Sequence, residues 1–488
     1  MKTTIRVGAA VGLAVVVSSM LVGCRSDSSS GIEWAACQGP GADSRQECAT
    51  VSVPLDYGHP EGERVSLAVS RIRSAHPEHR RGVLLLVPGG PGSGGLNLPS
   101  TAGRTLPESV RDEYDLIGFD PRGLGASAAA NCHIARQDLA TERLRPWPDA
   151  DGGIAENVAV EQRVAEACVR DGGALVRSIG TRTEARDIDR IREALGEQRI
   201  AAWGTSYGTY ALAVYATLFG DRTDRILLDS SDDPDPDRVE RNWLANYAVG
   251  VEDRFPDFAR WAAAEGNPDR VAQTPEAVRD EFLMLAARLD RAPLSWPGSE
   301  TSVLSGNGLR QILLDGLYRD QRFPYVAQVI NAAQRSDALP AARLSPPEPA
   351  AQASTAVMVA TLCNDVAWPT SADDYATAVA ADRARYPLTA GMSRGFSPCA
   401  FWPYPVAPRT VVTASGPSNI LLLQNLRDPA TPYSGALRLR QAFGDRARMV
   451  AVDGGGHGVY PSPVACANDA VERFLRDGTR PDQDLTCR

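Results

Sequence analysis

Lysine is almost absent from this chain. Lys2 is the only one among 51 basic residues, and arginine supplies the rest. We read that bias as genomic base composition, not as function. Acids outnumber bases, 60 to 51, giving a net charge of −9 and a pI near 5.3. That sign argues against a nucleic-acid binder, which would show a basic face, so nucleic acid is not expected as a partner. There is no C-x-x-C, and the five histidines (59, 76, 79, 133 and 457) show no ligand spacing. No metal and no cofactor is therefore expected. No glycine-rich turn is followed by Gly-Lys-Ser/Thr, which disfavours a phosphate loop. Internal repeats are missing. Beyond the first two dozen residues, no apolar run is long enough to cross a bilayer.

The N-terminal stretch is different. Lys2 and Arg6 precede an apolar segment from Val7 to Val22, the pattern of a secretory signal peptide. It ends in Leu21-Val22-Gly23-Cys24, which resembles the lipobox of bacterial lipoproteins. Cleavage before Cys24 would leave its thiol to take a lipid. We expect a leader over 1–23, a flexible tether over 24–36 and an exported, monomeric body, with that lipid anchor as its only membrane contact. Eight further cysteines suit an oxidising compartment. The simplest connectivity pairs neighbours: Cys37 with Cys48, Cys132 with Cys168, Cys363 with Cys399, Cys466 with Cys487.

After the tether, apolar runs of strand length alternate with helical patterns. "VSLAVSRIR" (65–73) has period two, while "GVLLLV" (82–87) and "YDLIGF" (114–119) are continuous. Continuous apolar strands separated by helices imply a parallel sheet covered on both faces. A helix is expected over 181–198, with Thr183 as its N-cap. Near Pro234 the rhythm changes. "TPEAVRDEFLMLAARLDRAPL" (274–294) reads as a helix capped by Thr274, with Val278, Phe282, Leu285 and Leu289 on one face. Strand patterns return after about residue 410. The expected fold class is α/β, with a mostly parallel central sheet. Its core covers 37–233 and 411–488, interrupted by a mainly helical insertion over 234–410.

Gly204-x-Ser206-x-Gly208 falls between an expected strand and an expected helix. That is the place of a nucleophile elbow, where a sharp turn lifts a serine above the sheet edge. A serine hydroxyl needs a base to take its proton. In this architecture an acid and then a histidine follow in the chain. His457, in "DGGGHGVY", is the one histidine after a late strand, and Asp428 follows the strand before it. Asp453 is an alternative acid within the histidine's own loop. The oxyanion donors expected are the amides of Tyr207 and of Gly90 in "PGGPGSGG". Thr431 stands where it could orient Asp428. Asp120 and Arg122, in "FDPRG", suggest a turn salt bridge.

The pieces P-G-G-P-G, F-D-P-R-G, G-T-S-Y-G, R-D-P-A-T-P and G-G-G-H-G together resemble the exported tripeptidyl aminopeptidases of actinobacteria. These belong to the prolyl iminopeptidase branch of the α/β-hydrolases. The resemblance spans nearly the whole chain after the tether. It implies a helical cap inserted after the sixth strand, the triad Ser206, Asp428 and His457, and release of short peptides from a free N-terminus. An enzyme of that kind measures distance from a substrate ammonium. Asp365, Asp232 and Asp233 are the acids we single out for that task. A carboxylesterase, lipase or acyltransferase would use the same triad, and a surface binding protein could keep the scaffold without the chemistry.

Overall fold

In the computed structural model, Met1 and residues 32–38, 41–235, 243–343 and 346–488 are described. Residues 2–31, which hold the rest of the leader, Cys24 and the first part of the tether, lie outside the described residues. A ten-stranded sheet organises the chain, in the order β1-β2-β3-β5-β4-β6-β7-β10-β11-β12. The strands are β1 (Ala35–Ala36), β2 (Glu47–Pro54), β3 (Arg64–Ile72), β4 (Gly82–Val87), β5 (Tyr114–Phe119), β6 (Ile200–Ser206) and β7 (Thr223–Ser231). A small hairpin, β8 (Leu294–Ser295) and β9 (Val303–Leu304), stands apart. The sheet is completed by β10 (Ile420–Arg427), β11 (Ala447–Gly455) and β12 (Leu485–Cys487). β1, β2 and β3 pair antiparallel, as does β3 with β5. From β5 through β12 every pairing is parallel.

The continuous apolar strands are buried on both faces because side chains alternate across a sheet. In β4, Val83, Leu85 and Val87 join one cluster, while Leu84 and Leu86 join another on the opposite side. The first face is covered by α5 (Thr181–Ala194), α6 (Tyr207–Leu218) and α13 (Tyr433–Phe443). The second is covered by α1 (Glu108–Arg111) and α14 (Ala465–Asp477). This is the α/β-hydrolase fold. Thr183 does not cap α5, which starts two residues earlier. Asp365 carboxylate oxygens accept the Thr181 N–H instead.

Between β7 and β10 the chain is mainly helical: α7 (Trp243–Ala263), α8 (Pro275–Arg291), α9 (Gly306–Leu317), α10 (Phe323–Arg335), α11 (Glu348–Asp365) and α12 (Ala372–Arg385). Thr274 caps α8 as expected, its hydroxyl accepting the Ala277 N–H at 3.2 Å. Helices α7 to α10 enclose a core of their own, built on Phe255, Phe258, Phe282, Leu313 and Val326. The second half behaves differently. α11 packs Val357 and Ala360 against Val160 and Val164 of α3 (Ala155–Asp171) and Val176 of α4 (Gly173–Ser178). So the stretch around 124–179, read from sequence as part of the sheet body, shares a core with the insertion. The four expected cysteine pairs are all present as disulfides. Two of them, Cys132–Cys168 and Cys363–Cys399, sit in this shared layer. No helix among the described residues is long and apolar enough to cross a membrane.

Candidate active site

Strand β6 runs directly into α6, and Ser206 is the turning residue, with φ 59° and ψ −133°. A non-glycine residue in this region is strained and stays there only because its surroundings hold it. Two glycines make the turn possible. A Cβ on Gly208 would stand 2.6 Å from the Pro88 carbonyl oxygen, and one on Gly89 would stand 2.9 Å from Ser206 Cβ. The bare backbone of 88–90 therefore lies on the turn itself. The Tyr207 amide opens α6, where N–H groups have no partner within the helix.

The strand ends after β7, β10 and β11 bring up the partners. Asp428 is 1% exposed. Its Oδ1 accepts the N–H groups of Ala430 and Thr431, both at 2.9 Å. His457 Nδ1 lies 3.0 Å from Oδ1 and 3.1 Å from Oδ2 of the same carboxylate. An Nδ1–H donated to Asp428 leaves the Nε2 lone pair available. The Thr431 hydroxyl lies 3.4 Å from His457 Nδ1. Asp453 is exposed and paired with Arg427, away from the imidazole. Burial by itself would push the His457 imidazole down. The Asp428 carboxylate outweighs this, with help from Asp232 and Asp229, and holds it above its ordinary value.

Ser206 and His457 open on one cavity of about 390 Å³. Gly89, Gly90, Tyr207, Asp232 and Thr431 line it from the sheet side. Arg145, Asn246, Tyr247, Tyr318 and Met358 line it from the helical layer. Tyr318 closes on the histidine in two ways. Its carbonyl accepts the His457 N–H at 2.9 Å, and its ring meets the imidazole edge-on at 5.0 Å. Its hydroxyl lies 2.8 Å from that of Tyr247, whose ring stacks under Arg145 at 5.0 Å. None of these five helical-layer residues was singled out from sequence. No local pattern marks them, because their place depends on how the insertion packs.

Of the three acids considered for a substrate ammonium, only Asp232 lines the cavity. Burial pushes its carboxyl up to about 7; Asp428 and Asp233 add to this, and His457 opposes it. Asp233 is buried in an ion pair with Arg438 at 2.5 Å. Asp365 binds the start of α5, as described above. Both are corrected to structural acids because their oxygens already serve those partners. The expected Asp120–Arg122 bridge is also corrected. Asp120 accepts the N–H groups of Gly95, Leu96 and Ala126. Arg122 turns away, to Asp187. Ligand spacing needs a correction too: His76, Glu78 and His79 place ligand atoms within 4.8 Å of one another. They are exposed on the turn between β3 and β4, and none lines the cavity.

Behind the elbow, the Tyr207 hydroxyl lies 2.7 Å from Thr181 Oγ1 and 3.3 Å from Glu184 Oε2. The other oxygen of Glu184, Oε1, is buried with no hydrogen-bond partner. Burial raises this carboxyl to about 8, reinforced by Asp187 and Asp365 and opposed by Tyr207 and Arg122. Between its ordinary value near 4.5 and about 8, the folded chain keeps a proton that the unfolded chain releases. Stability from this group therefore falls as pH rises through that window, by up to about 1.4 kcal/mol per pH unit. Glu184→Gln removes the slope. Melting temperatures of variant and parent should converge near pH 5 and separate in favour of the variant by pH 8. Parallel curves would contradict this account.

Residues 385–487 match the family described as TAP-like protein. Over 470 residues the chain is 30% identical to the tripeptidyl aminopeptidase of Streptomyces coelicolor, spanning 94% of this chain and 86% of that one. It is 28% identical over 520 residues to serine protease Hip1 of Mycobacterium tuberculosis, covering 98% and 96%. It is 30% identical over 483 residues to carboxylesterase B of the same organism, covering 93% and 89%. With that identity along almost its full length, the chain belongs to the TAP-like family of α/β-hydrolases and is a serine hydrolase.

Proposed function

We propose that this protein is an aminopeptidase that releases tripeptides, or other short N-terminal peptides, through a Ser206–His457–Asp428 triad. The observation that carries the reading is the pairing of His457 Nδ1 with Asp428 in the cavity that Ser206 enters from a strained turn. His457 takes the Ser206 proton as the hydroxyl attacks the scissile carbonyl. Asp428 keeps the tautomer and stabilises the imidazolium. The amides of Tyr207 and Gly90 hold the oxyanion, and each such donor is worth about 10²–10³ in rate. His457 then protonates the leaving amine, and water releases the peptide from Ser206.

Asp232 receives the substrate ammonium in this reading. It is 9% exposed, faces the cavity and, among the described residues, is the one acid of the three not committed to a protein cation or amide. The four disulfides support the exported location expected from the leader, since such bonds persist in oxidising compartments. We extend the proposal to a lipid on Cys24.

The test is a hydrolysis panel: Ala-Ala-Pro-aminocoumarin with a free amine, the same peptide N-blocked, Pro-aminocoumarin and a butyrate ester. The free tripeptide should be turned over well and the blocked one poorly. Asp232→Asn should lower kcat/KM for the free peptide roughly 30-fold or more, the cost of losing one partner of a buried charge pair. Turnover of the blocked peptide should hardly change. The likeness to a carboxylesterase favours a second reading, ester hydrolysis on the same triad. Ester turnover without peptide turnover would decide for it.

A further inference from the structure

The loop that presents His457 cannot fix its own shape, because Gly454, Gly455, Gly456 and Gly458 surround the histidine. The Arg427 and Tyr318 carbonyls hold the Gly456 and His457 amides, and Asn425 Nδ2 donates to the Gly456 carbonyl; the residues that follow are held by β7. Ser230 Oγ accepts the Gly458 N–H at 2.8 Å. Asp229 accepts the Val459 N–H at 2.8 Å through Oδ1 and the Tyr460 N–H at 3.0 Å through Oδ2. Three consecutive amides after the histidine are thus held by two consecutive strand residues. Neighbouring side chains on a strand ordinarily point to opposite faces. Here Ser230 has φ 57°, and the pairing of β6 with β7 shifts between Thr205 and Ser206, opposite this point. That irregularity lets both side chains reach one loop. Asp229 is 1% exposed and Ser230 is fully buried, and neither lines the cavity.

We propose that Asp229, assisted by Ser230, is a positioning residue that ties the His457 loop to the sheet and so keeps the imidazole in line with Ser206. The inference rests on the reading of His457 as the base. Each oxygen of Asp229 takes one N–H, so a proton on either oxygen removes an acceptor. The charged groups facing Asp229 are His457, from its own loop, and Asp428, from the end of β10. Burial pushes the Asp229 carboxyl up to about 6, against the pull of the two amides. Acid therefore strikes twice: one proton disables the base, and another loosens what holds it.

The experiment uses the full chain and its Asp229→Asn and Ser230→Ala variants. The substrate is whichever panel member the parent turns over and Ser206→Ala does not. Asn keeps the shape and one acceptor. It should lower kcat about 10- to 100-fold through misplacement of the base, with KM little changed. Ser230→Ala should do the same more weakly. The acid limb of kcat should fall with two protons in the parent and one in Asp229→Asn. Hydrogen exchange, read by mass spectrometry, should quicken over 456–462 in Asp229→Asn and stay unchanged elsewhere. Native kcat, or slow exchange in that segment, overturns the proposal, as does quickened exchange along the whole chain. The exchange result does not depend on turnover. Activity that survives Ser206→Ala would instead strike the triad reading.

Discussion

Ser206→Ala should abolish turnover, lowering kcat by about 10⁴–10⁶-fold on any substrate the parent accepts. Ser206 is the proposed nucleophile: among the described residues that line the cavity it is the hydroxyl held at the strained strand-to-helix turn, beside the Tyr207 amide. What survives should be the small rate that oxyanion donors and substrate positioning give unaided. The fold should survive as well. Alanine inherits the same φ of 59°, so the strain of the turn is neither added nor relieved. The two chains should melt within about a degree or two of each other, since alanine keeps the Cβ and the backbone strain and removes only a half-buried hydroxyl. Binding of the free tripeptide should persist, because Asp232 and the Tyr247–Tyr318 wall are untouched. Calorimetric titration with the uncleaved peptide checks this. Turnover within about ten-fold of the parent would remove Ser206 from the mechanism, since a nucleophile's loss costs far more than that.

Local patterns carried the sheet and the candidate triad. The run Gly82–Val87 is apolar at every position because both faces of β4 are covered, so it reads as a central strand without knowledge of its neighbours. Ser206, Asp428 and His457 each stand at or just after a strand end, and Asp428 is preferred to Asp453 because it follows the preceding strand while Asp453 belongs to the histidine's own loop. Neighbour pairing of the cysteines was also legible, since short loops keep such residues close. What stayed hidden was contact at long range. Tyr318 meets His457 from 139 positions away in the chain and through a different core, and its sequence surroundings say only "end of a helix". Arg145 stands between a single helical turn, Thr141–Leu144, and Pro146-Trp147-Pro148, with no periodicity to mark it. Asp229 and Ser230 looked like ordinary strand residues, because a positive φ on a serine leaves no mark in the sequence. Asp365 was misread for the same reason. Its proximity to Cys363 was visible, but its real partner, the Thr181 amide, is 184 residues away.

Arg122→Met should strongly destabilise the fold, although the residue does not line the cavity. Its guanidinium is 2% exposed and binds both oxygens of Asp187, at 2.8 and 2.7 Å. It also donates to the carbonyls of Leu55 and Pro54 and to Ser178 Oγ. One side chain therefore joins the end of β2, the approach to α5 and the turn after β5. Methionine fills a similar volume but leaves the buried Asp187 without its cation; among the described residues, Tyr57 still donates a side-chain hydrogen bond to it, at 2.7 Å. Breaking a buried pair from one side costs about 3–5 kcal/mol, because the remaining charge has no compensation. The nearby Glu184 carboxyl, which Arg122 helps to lower, would rise further; because it already keeps its proton below about pH 8, this adds a loss only above that pH. The double variant Arg122→Met/Asp187→Asn should recover much of the stability, since it removes the stranded charge together with its partner. Urea midpoints of the four chains in that cycle check the account. If the double variant is no more stable than Arg122→Met, the cost lies in the lost carbonyl contacts at Pro54 and Leu55, and the ion pair with Asp187 is not what holds this corner of the fold together.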